Sequence, residues 1–217
     1  MGTKERKERE RNSRRQQIQE SAKKLFLRKS FRSTTMEDIA KDVELSTGAI
    51  YQYFKSKDEL YASMNLESLQ CTFDKVETIY KNQRLSPERK ILKIKDSLYK
   101  IFLDDPSLLR VIFHVQLEDT LAGLDKKLLN QLNEAGRRMM NLLASVYQDG
   151  VRTGDFSEGH GMAHADIIWG TFAGLMMWEG AKRRINPKKD FLKSTLNQAF
   201  DIFCRGIKKD NKGRKRQ

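Results

Sequence analysis

The sequence has few of the residues that break helices or cross-link a chain. Its 217 residues include three prolines and two cysteines. Two cysteines allow at most one disulfide, and neither Cys71 nor Cys204 lies in a CxxC pair or a zinc-ligand cluster. A disulfide scaffold and a structural zinc site are therefore excluded. We expect both thiols to be reduced and to face the core.

Long apolar runs are also absent. The longest uncharged apolar stretch runs from Ile167 to Trp178, well short of the ~20 residues that span a bilayer. The first 20 residues alternate both signs of charge and contain no apolar segment typical of a secretion signal. We therefore expect a cytoplasmic protein without a membrane span.

Positive charge is abundant and lies at the two ends of the chain. The 42 Lys and Arg exceed the 29 Asp and Glu, giving a formal net charge of +13. Residues 1–60 hold 15 basic against 10 acidic side chains, residues 61–204 hold 20 against 18, and residues 205–217 hold seven against one. This distribution indicates an N-terminal module that faces nucleic acid, a nearly neutral body and a basic tail. Contact of the tail with anionic membrane lipids is an alternative.

The prolines and the apolar spacing predict an all-α fold. Ser86-Pro87, Asp105-Pro106 and Asn186-Pro187 each combine a good N-cap residue with proline at the first helical position, so each pair predicts a helix start. Between these points apolar residues recur at helical spacing, and no segment has convincing strand alternation.

The N-terminal part has the spacing of a helix-turn-helix. An amphipathic helix is predicted over 14–29. Its apolar face consists of Ile18, Ala22, Leu25 and Phe26. Thr34 with Glu37 predicts a capping box that opens a second helix, Ser46 caps a third, and a box at Ser56 opens a fourth.

The third helix presents an outward face without carboxylates. On a helical wheel Ile50 and Phe54 share the buried side, and Gly48 and Gln52 lie nearly opposite. A glycine in so short a helix costs roughly 1 kcal/mol relative to alanine, and close approach of the backbone to another surface compensates this. Gln52 suits the N6 and N7 atoms of adenine.

Further side chains suit DNA as well. The methyl groups of Thr47 and Ala49 suit a thymine methyl group. Hydroxyl or ammonium groups suited to phosphate oxygens occur on Thr34, Thr35, Tyr51, Tyr53 and Lys57. Ordinary core packing and helix capping remain the alternative for the aromatic and threonine residues.

These residues also match a known pattern. The chain resembles the TetR family of transcriptional regulators through Thr34–Thr35, Asp38-Ile39-Ala40, Leu45-Ser46, Gly48, Tyr51, Phe54, Lys57 and Leu60. The resemblance implies a homodimer with a small N-terminal three-helix helix-turn-helix domain and a larger helical domain for ligand binding and dimerisation. It also implies a sequence-specific regulator, which we expect to be a repressor released by a small effector. The predicted DNA-binding residues are Thr34, Thr35, Ser46, Thr47, Gly48, Ala49, Tyr51, Gln52, Tyr53, Lys55 and Lys57.

The chain departs from that pattern in two places. Val43-Glu44 stands where the family usually has Ala-Gly, and Ser30-Phe31 stands where a glycine often precedes the aromatic residue. Either the first turn needs no positive φ, or Glu44 carries strain. The predicted organisation is a disordered basic arm (1–12), a DNA-binding domain (13–62), a helical effector-binding and dimerisation domain (63–208) and a flexible basic tail (209–217).

The body contains a helix around 163–184 that is apolar on almost all sides and must therefore be buried on several of them. Gly170 and Gly174 would let another helix approach closely. By the resemblance we assign this helix and the last one to the dimer interface, with intramolecular packing as the alternative. The predicted interface residues are Ile167, Gly170, Thr171, Gly174, Trp178 and Phe200.

An effector pocket needs apolar walls and a few polar groups. The candidate residues are Phe113, His114, Met139, Met140, Leu143, Tyr147, Trp169, Phe172 and Met176. The same residues are also typical of a plain core. Few fixed charges occur in these segments, which favours a lipophilic effector.

Catalytic and metal chemistry have no positive support. His160 and His164 are four apart, but flanking glycines predict surface histidines in a loop rather than metal ligands. The sequence contains no P-loop, GxGxxG or GxSxG motif. We expect no enzyme activity, no metal and no cofactor. The partners expected are a near-palindromic double-stranded operator, a small effector and a second copy of the chain; the alternative is a DNA-binding structural protein without an effector switch.

Overall fold

The computed structural model describes residues 2–104, 124–186, 188 and 190–209. In these ranges the helices are α1 (Thr3–Lys29), α2 (Met36–Asp42), α3 (Thr47–Ile50), α4 (Lys57–Lys81), α5 (Pro87–Asp104), α6 (Lys126–Thr153), α7 (Gly161–Ile185) and α8 (Leu192–Ile207). The β-structure described there is an isolated bridge between Phe156 and Lys208. None of the described helices is both long and apolar enough to cross a membrane. The all-α prediction is confirmed.

The described residues form two compact units. One unit contains residues 2–68 and 124–132, and the other contains the described residues of 69–104 and 133–209. The predicted pocket residues Phe113 and His114 lie outside the described residues, as does the tail from residue 210.

The first helix is longer than the sequence pattern indicates. It begins at Thr3, so the prediction of a disordered arm over 1–12 is wrong for residues 3–12. Arg6 Nε donates to Glu10 Oε1 at 2.9 Å one turn away, and such oppositely charged pairs stabilise a helix. No glycine or proline interrupts residues 3–29. The alternating charges that resemble a disordered arm therefore also permit a continuous helix.

The core of the first unit is built on the predicted face of α1. The residues of that face, Ile18, Ala22, Leu25 and Phe26, are all buried. The rings of Phe26 and Phe31 each pack on Tyr61, with centroids 5.3 and 4.6 Å apart. Ser21 Oγ donates to Asp42 Oδ2 at 2.7 Å, which ties α1 to the end of α2.

The capping box that opens α2 lies one residue later than predicted. Thr35 is the N-cap: its hydroxyl accepts from the Asp38 amide at 3.1 Å, and Asp38 Oδ2 accepts from the Thr35 amide at 3.1 Å. These hydrogen bonds, with the Lys29 ammonium, lower the pKa of Asp38. The predicted Thr34–Glu37 box is wrong, because Thr34 is fully buried and its hydroxyl donates to the Ser30 carbonyl at 2.8 Å.

The proline signals have mixed outcomes. α5 begins at Pro87 as predicted, with the Ser86 hydroxyl accepting from the Arg89 amide at 3.3 Å. The helix start predicted at Asn186 is wrong, because Asn186 is the C-cap of α7 and α8 begins at Leu192. The start predicted at Asp105 lies outside the described residues.

In the second unit α8 packs against both α5 and α7. Its buried stripe consists of Leu192, Leu196, Phe200, Cys204 and Ile207. Burial raises the pKa of the Cys204 thiol to about 11, which makes it unreactive at neutral pH. Cys71 is exposed rather than core-facing, so that prediction is wrong for this thiol.

A short loop fixes the start of α7. The Phe156 ring lies over Gly150, and a Cβ at Gly150 would approach within 2.0 Å of it. The Ser157 amide donates to the Ile207 carbonyl at 2.8 Å. The ends of α6 and α8 thus hold the loop that leads into α7.

Candidate functional site

The segment from Ser46 to Tyr53, which we call the α3 surface, presents the predicted side chains outward. Thr47, Gly48, Tyr51 and Gln52 are exposed, Ala49 and Tyr53 are half-buried, and Ile50 and Phe54 are fully buried. The Ser46 hydroxyl accepts from the Ala49 amide at 3.1 Å and caps α3. The helical wheel therefore predicts the orientation of this segment correctly.

Gly48 has no packing reason within the chain. A Cβ built at this position meets no other atom within 4 Å. The neighbouring side chains would accept alanine here, and alanine favours helix by about 1 kcal/mol over glycine. The space beside the Gly48 backbone is therefore open, and another molecule can approach the backbone closely there.

The two departures from the family pattern both occur at positive φ. Glu44 has a φ of 55°, and Ser30 has a φ of 77° with a ψ of 161°. Glycine adopts these conformations readily, whereas other residues are strained by about 1–3 kcal/mol. The turn before α3 therefore needs a positive φ, and Glu44 carries the strain. The chain keeps the backbone geometry although it lacks glycine at both positions.

Lys57 is directed into its own domain. Its ammonium donates to the carbonyls of Phe31 and Thr34 at 2.8 and 2.9 Å, and it lies 4.4 Å from the centroid of the Phe31 ring. These contacts hold the turn between α1 and α2. They use two of the three N–H donors of Lys57, so its contact with phosphate stays a prediction. Buried Thr34 cannot present its hydroxyl to DNA, whereas Thr35 and Lys55 are exposed.

Sequence reasoning missed two arginines on α1. Arg11 Nη2 donates to the Gln52 carbonyl at 3.3 Å, and Arg15 donates to the Tyr53 carbonyl. The Arg15 guanidinium also lies 4.0 Å from the centroid of the Phe54 ring. Burial lowers the pKa of Arg15, and the nearby Glu59 carboxylate opposes that shift. α1 thus supports the end of the α3 surface, and sequence spacing across 41 residues gave no signal of this contact.

The candidate pocket residues within the described ranges lie on α6 and α7. Met139, Leu143, Phe172 and Met176 are buried, and Met140 and Trp169 are half-buried. Tyr147, predicted as a polar contact for the effector, instead donates its hydroxyl to the Ser157 carbonyl at 2.7 Å. Its ring stacks on His164 with centroids 3.7 Å apart. Burial raises the pKa of Tyr147, and its hydroxyl is not available as a polar contact for an effector.

Glu179 is a buried acidic residue that sequence reasoning missed. It lies on α7 with 1 % of its surface exposed and forms an ion pair with Lys182. Neither carboxylate oxygen accepts a hydrogen bond within the described part of the chain. Ordinary helical spacing gives no sign that this acidic side chain is buried.

His160 and His164, which are four residues apart in the sequence, have structural roles. His160 is the N-cap of α7, and its Nδ1 accepts from the Ala163 amide at 3.3 Å. His164 lies within α7, so the prediction that both lie in a loop is wrong for it. Over the described ranges, no group of three or more His, Cys, Asp or Glu side chains is arranged to hold a metal ion.

An apolar stripe on α7 is open to solvent. It contains Ile167, Gly170, Gly174, Met177, Trp178 and Ile185. Trp178 is 62 % exposed and Ile185 is 87 % exposed. A Cβ at Gly170 or Gly174 meets nothing within 4 Å. We call this set the α7 stripe; Phe200, also predicted for the interface, is buried in α8 and does not belong to it.

Comparison with known proteins places these features in a wider group. Residues 18–64 match the model of the bacterial regulatory proteins, tetR family. A fatty acid metabolism regulator protein of Bacillus subtilis is 24 % identical over 193 residues, which are 88 % of this chain and 94 % of that protein. The Staphylococcus aureus (strain Newman) negative transcriptional regulator of the icaADBC biofilm operon, IcaR, is 26 % identical over 135 residues, which are 61 % of this chain and 68 % of that protein.

A solved structure shares the fold. The transcriptional regulator FadR from Bacillus subtilis, in complex with stearoyl-CoA, superposes with a TM-score of 0.68 at 22 % identity. The superposition covers 88 % of this chain and 98 % of that one. The architecture of both units is therefore found in a solved regulator.

Proposed function

Because the chain belongs to the TetR family of bacterial regulatory proteins, we propose that it is a homodimeric, sequence-specific DNA-binding repressor that a small lipophilic effector releases from its operator. The main support for this proposal is the α3 surface, on which Thr47 and Gln52 are exposed and the space beside Gly48 is open. The protein acts in the cytoplasm on double-stranded DNA, and no catalytic step is part of this function.

On DNA, the α3 surface enters the major groove. Gln52 reads adenine, and the methyl groups of Thr47 and Ala49 contact thymine. Thr35, Tyr51 and Lys55 bind phosphates and position the domain without reading sequence. The α3 surfaces of two copies lie in successive major grooves, ~34 Å apart, so the operator is near-palindromic.

Replacement of Gln52 by alanine tests base reading. The variant keeps the Gln52 backbone carbonyl that accepts from Arg11, so the α3 surface stays in place. Loss of a bidentate base contact costs about 1–3 kcal/mol at each half-site, so the dimer should lose about 2–6 kcal/mol, or at least ~30-fold in operator affinity. Random DNA should lose less than about 3-fold, because its binding depends on phosphate contacts.

The measurement is binding to a panel of operators with single base changes. Gln70→Ala, an exposed substitution of the same kind on α4, serves as the control and should leave all affinities unchanged. Equal losses on operator and random DNA for Gln52→Ala would show that Gln52 positions the domain rather than reads a base.

The effector belongs to the acyl-CoA class. The candidate walls on α6 and α7 are apolar, which suits an acyl chain. The similar regulator FadR is in complex with stearoyl-CoA, and the related Bacillus subtilis regulator acts on fatty acid metabolism. The effector must prefer a dimer geometry that does not fit the operator, since only differential affinity shifts the two states.

Stearoyl-CoA is expected to weaken operator binding by about 5- to 150-fold, which corresponds to 1–3 kcal/mol of coupling. The experiment titrates stearoyl-CoA into the preformed protein–operator complex, and free coenzyme A serves as the matched control. Release by neither compound, nor by shorter acyl-CoAs, would favour a DNA-binding protein without an effector switch.

A further inference from the structure

The first turns of α1 lie outside the segment that matches the family. The match begins at Ile18, whereas α1 begins at Thr3. Residues 3–17 form about four helical turns, with a length of ~22 Å. They carry seven Lys and Arg against three Glu. These turns, which we call the α1 extension, are a positively charged helical segment that leads into the matched residues.

The α1 extension forms a cleft with the end of the α3 surface. The cleft, which we call the α1 cleft, has a volume of about 600 Å³. It is lined from α1 by Lys7, Glu10, Arg11, Ser13, Arg14 and Gln17, and from the α3 surface by Gln52 and Tyr53. Its polar walls suit a charged ligand rather than an apolar one.

The basic side chains of the cleft keep donors for a ligand. Arg11 uses one amino group on the Gln52 carbonyl, and Arg14 uses one on Gln17 Oε1 at 2.9 Å. Within the described residues Lys7 has no hydrogen-bond or ion-pair partner. The acidic side chain in the cleft, Glu10, is neutralised by Arg6. The cleft is therefore positively charged and has hydrogen-bond donors to spare.

We propose that the α1 cleft binds the phosphodiester backbone of DNA next to the half-site occupied by the α3 surface. Gln52 and Tyr53 belong to both surfaces, so a duplex in contact with one passes the other. Arginine and lysine donors complement phosphate in charge and geometry. This inference rests on the proposed function and adds a second contact region, independent of base sequence, that extends the footprint at each half-site.

The test removes two cleft charges that make no contact with the α3 surface. The variant Lys7→Gln with Arg14→Gln keeps the Arg11 bond to Gln52, and glutamine preserves helix propensity. Lys93→Gln with Lys100→Gln, two exposed positions on α5, is the control with the same net charge. Each purified protein is titrated with salt against operator DNA and random DNA, and phosphate contacts are mapped by ethylation interference.

The cleft variant is expected to lose four phosphate contacts per dimer. The slope of log affinity against log salt should fall by about 3.6, and affinity at 0.1 M salt should fall at least 10-fold on both DNAs. Interference at phosphates flanking the half-sites should disappear. The ratio of operator to random affinity should change by less than about 3-fold. The control should match the original protein throughout.

An unchanged salt slope and unchanged flanking interference in the cleft variant would overturn the inference. If the original protein nevertheless distinguishes operator from random DNA, the proposed function stands. If the original protein shows no such preference, the proposed function fails, and the salt slope on random DNA still decides whether the cleft binds phosphate.

Discussion

Replacement of Gly174 by arginine is expected to separate the proposed dimer into monomers without unfolding the chain. Gly174 lies in the middle of the exposed α7 stripe, and a Cβ there meets nothing within 4 Å in its own chain. The arginine side chain therefore fits the isolated protomer. In a dimer that buries the stripe, it would place an unpaired charge in an apolar interface, which costs several kcal/mol.

Mass measurement by light scattering after size exclusion checks this result. Gly174→Arg should give the 25.3 kDa of one chain, and the original protein should give twice that mass. Operator affinity should fall by at least about 100-fold, because two half-sites are no longer held by one molecule. Circular dichroism and the free energy of unfolding, both measured on the Gly174→Arg variant, report whether its fold is kept.

Gly180→Arg is the matched control for this experiment. Gly180 lies on the same helix, outside the α7 stripe, and its Cβ position is also open. This variant should remain dimeric and bind the operator normally. If Gly174→Arg stays dimeric, the α7 stripe is not the dimer interface. Its apolar residues would then pack within their own chain or stay exposed to solvent.

A second large effect is expected at Gly48, where fold stability and DNA binding should change in opposite directions. Gly48→Ala and Gly48→Leu add side chains into open space, so the free energy of unfolding should stay constant or rise by up to about 1 kcal/mol. The added atoms would occupy the space needed by the DNA bases. Operator affinity should fall about 10-fold for alanine and more than 100-fold for leucine.

Chemical denaturation and operator titration on the same preparations measure the two effects. Gly136→Ala and Gly136→Leu, at a glycine within α6 whose Cβ position is equally open, should change stability in the same direction and leave operator affinity unchanged. Normal operator binding by Gly48→Leu would show that the backbone of α3 does not approach DNA closely.

The sequence predicts most of the DNA-binding unit because its signals are local. The buried sides of α1 and α3 follow from helical periodicity, and Ser46 caps α3 as its position indicates. The predicted capping box is one residue too early. Thr34 and Thr35 are each followed, three residues later, by an acidic side chain, so the short motif fits both positions. Burial of Met36 and Ile39 selects Thr35, and that packing is not visible in a short motif.

Contacts between distant segments account for the remaining errors. Sequence alone does not show that the Lys57 ammonium donates to two carbonyls of its own chain. The periodicity of α8 identifies Phe200 as apolar without showing that it faces inward. Charge alternation over 3–12 is compatible with both a disordered arm and the observed helix. Each choice depends on tertiary packing rather than on local spacing.

A salt-titrated competition assay tests whether a dimer of this protein binds DNA sequence-specifically. Purified protein is bound to DNA flanking its own gene in the presence of random competitor DNA, and the complex is footprinted. We expect a preference of 10³-fold or more and a footprint of two symmetric half-sites whose centres lie ~34 Å apart. Equal affinity for operator and random DNA at every salt concentration, with no symmetric footprint, would contradict this expectation.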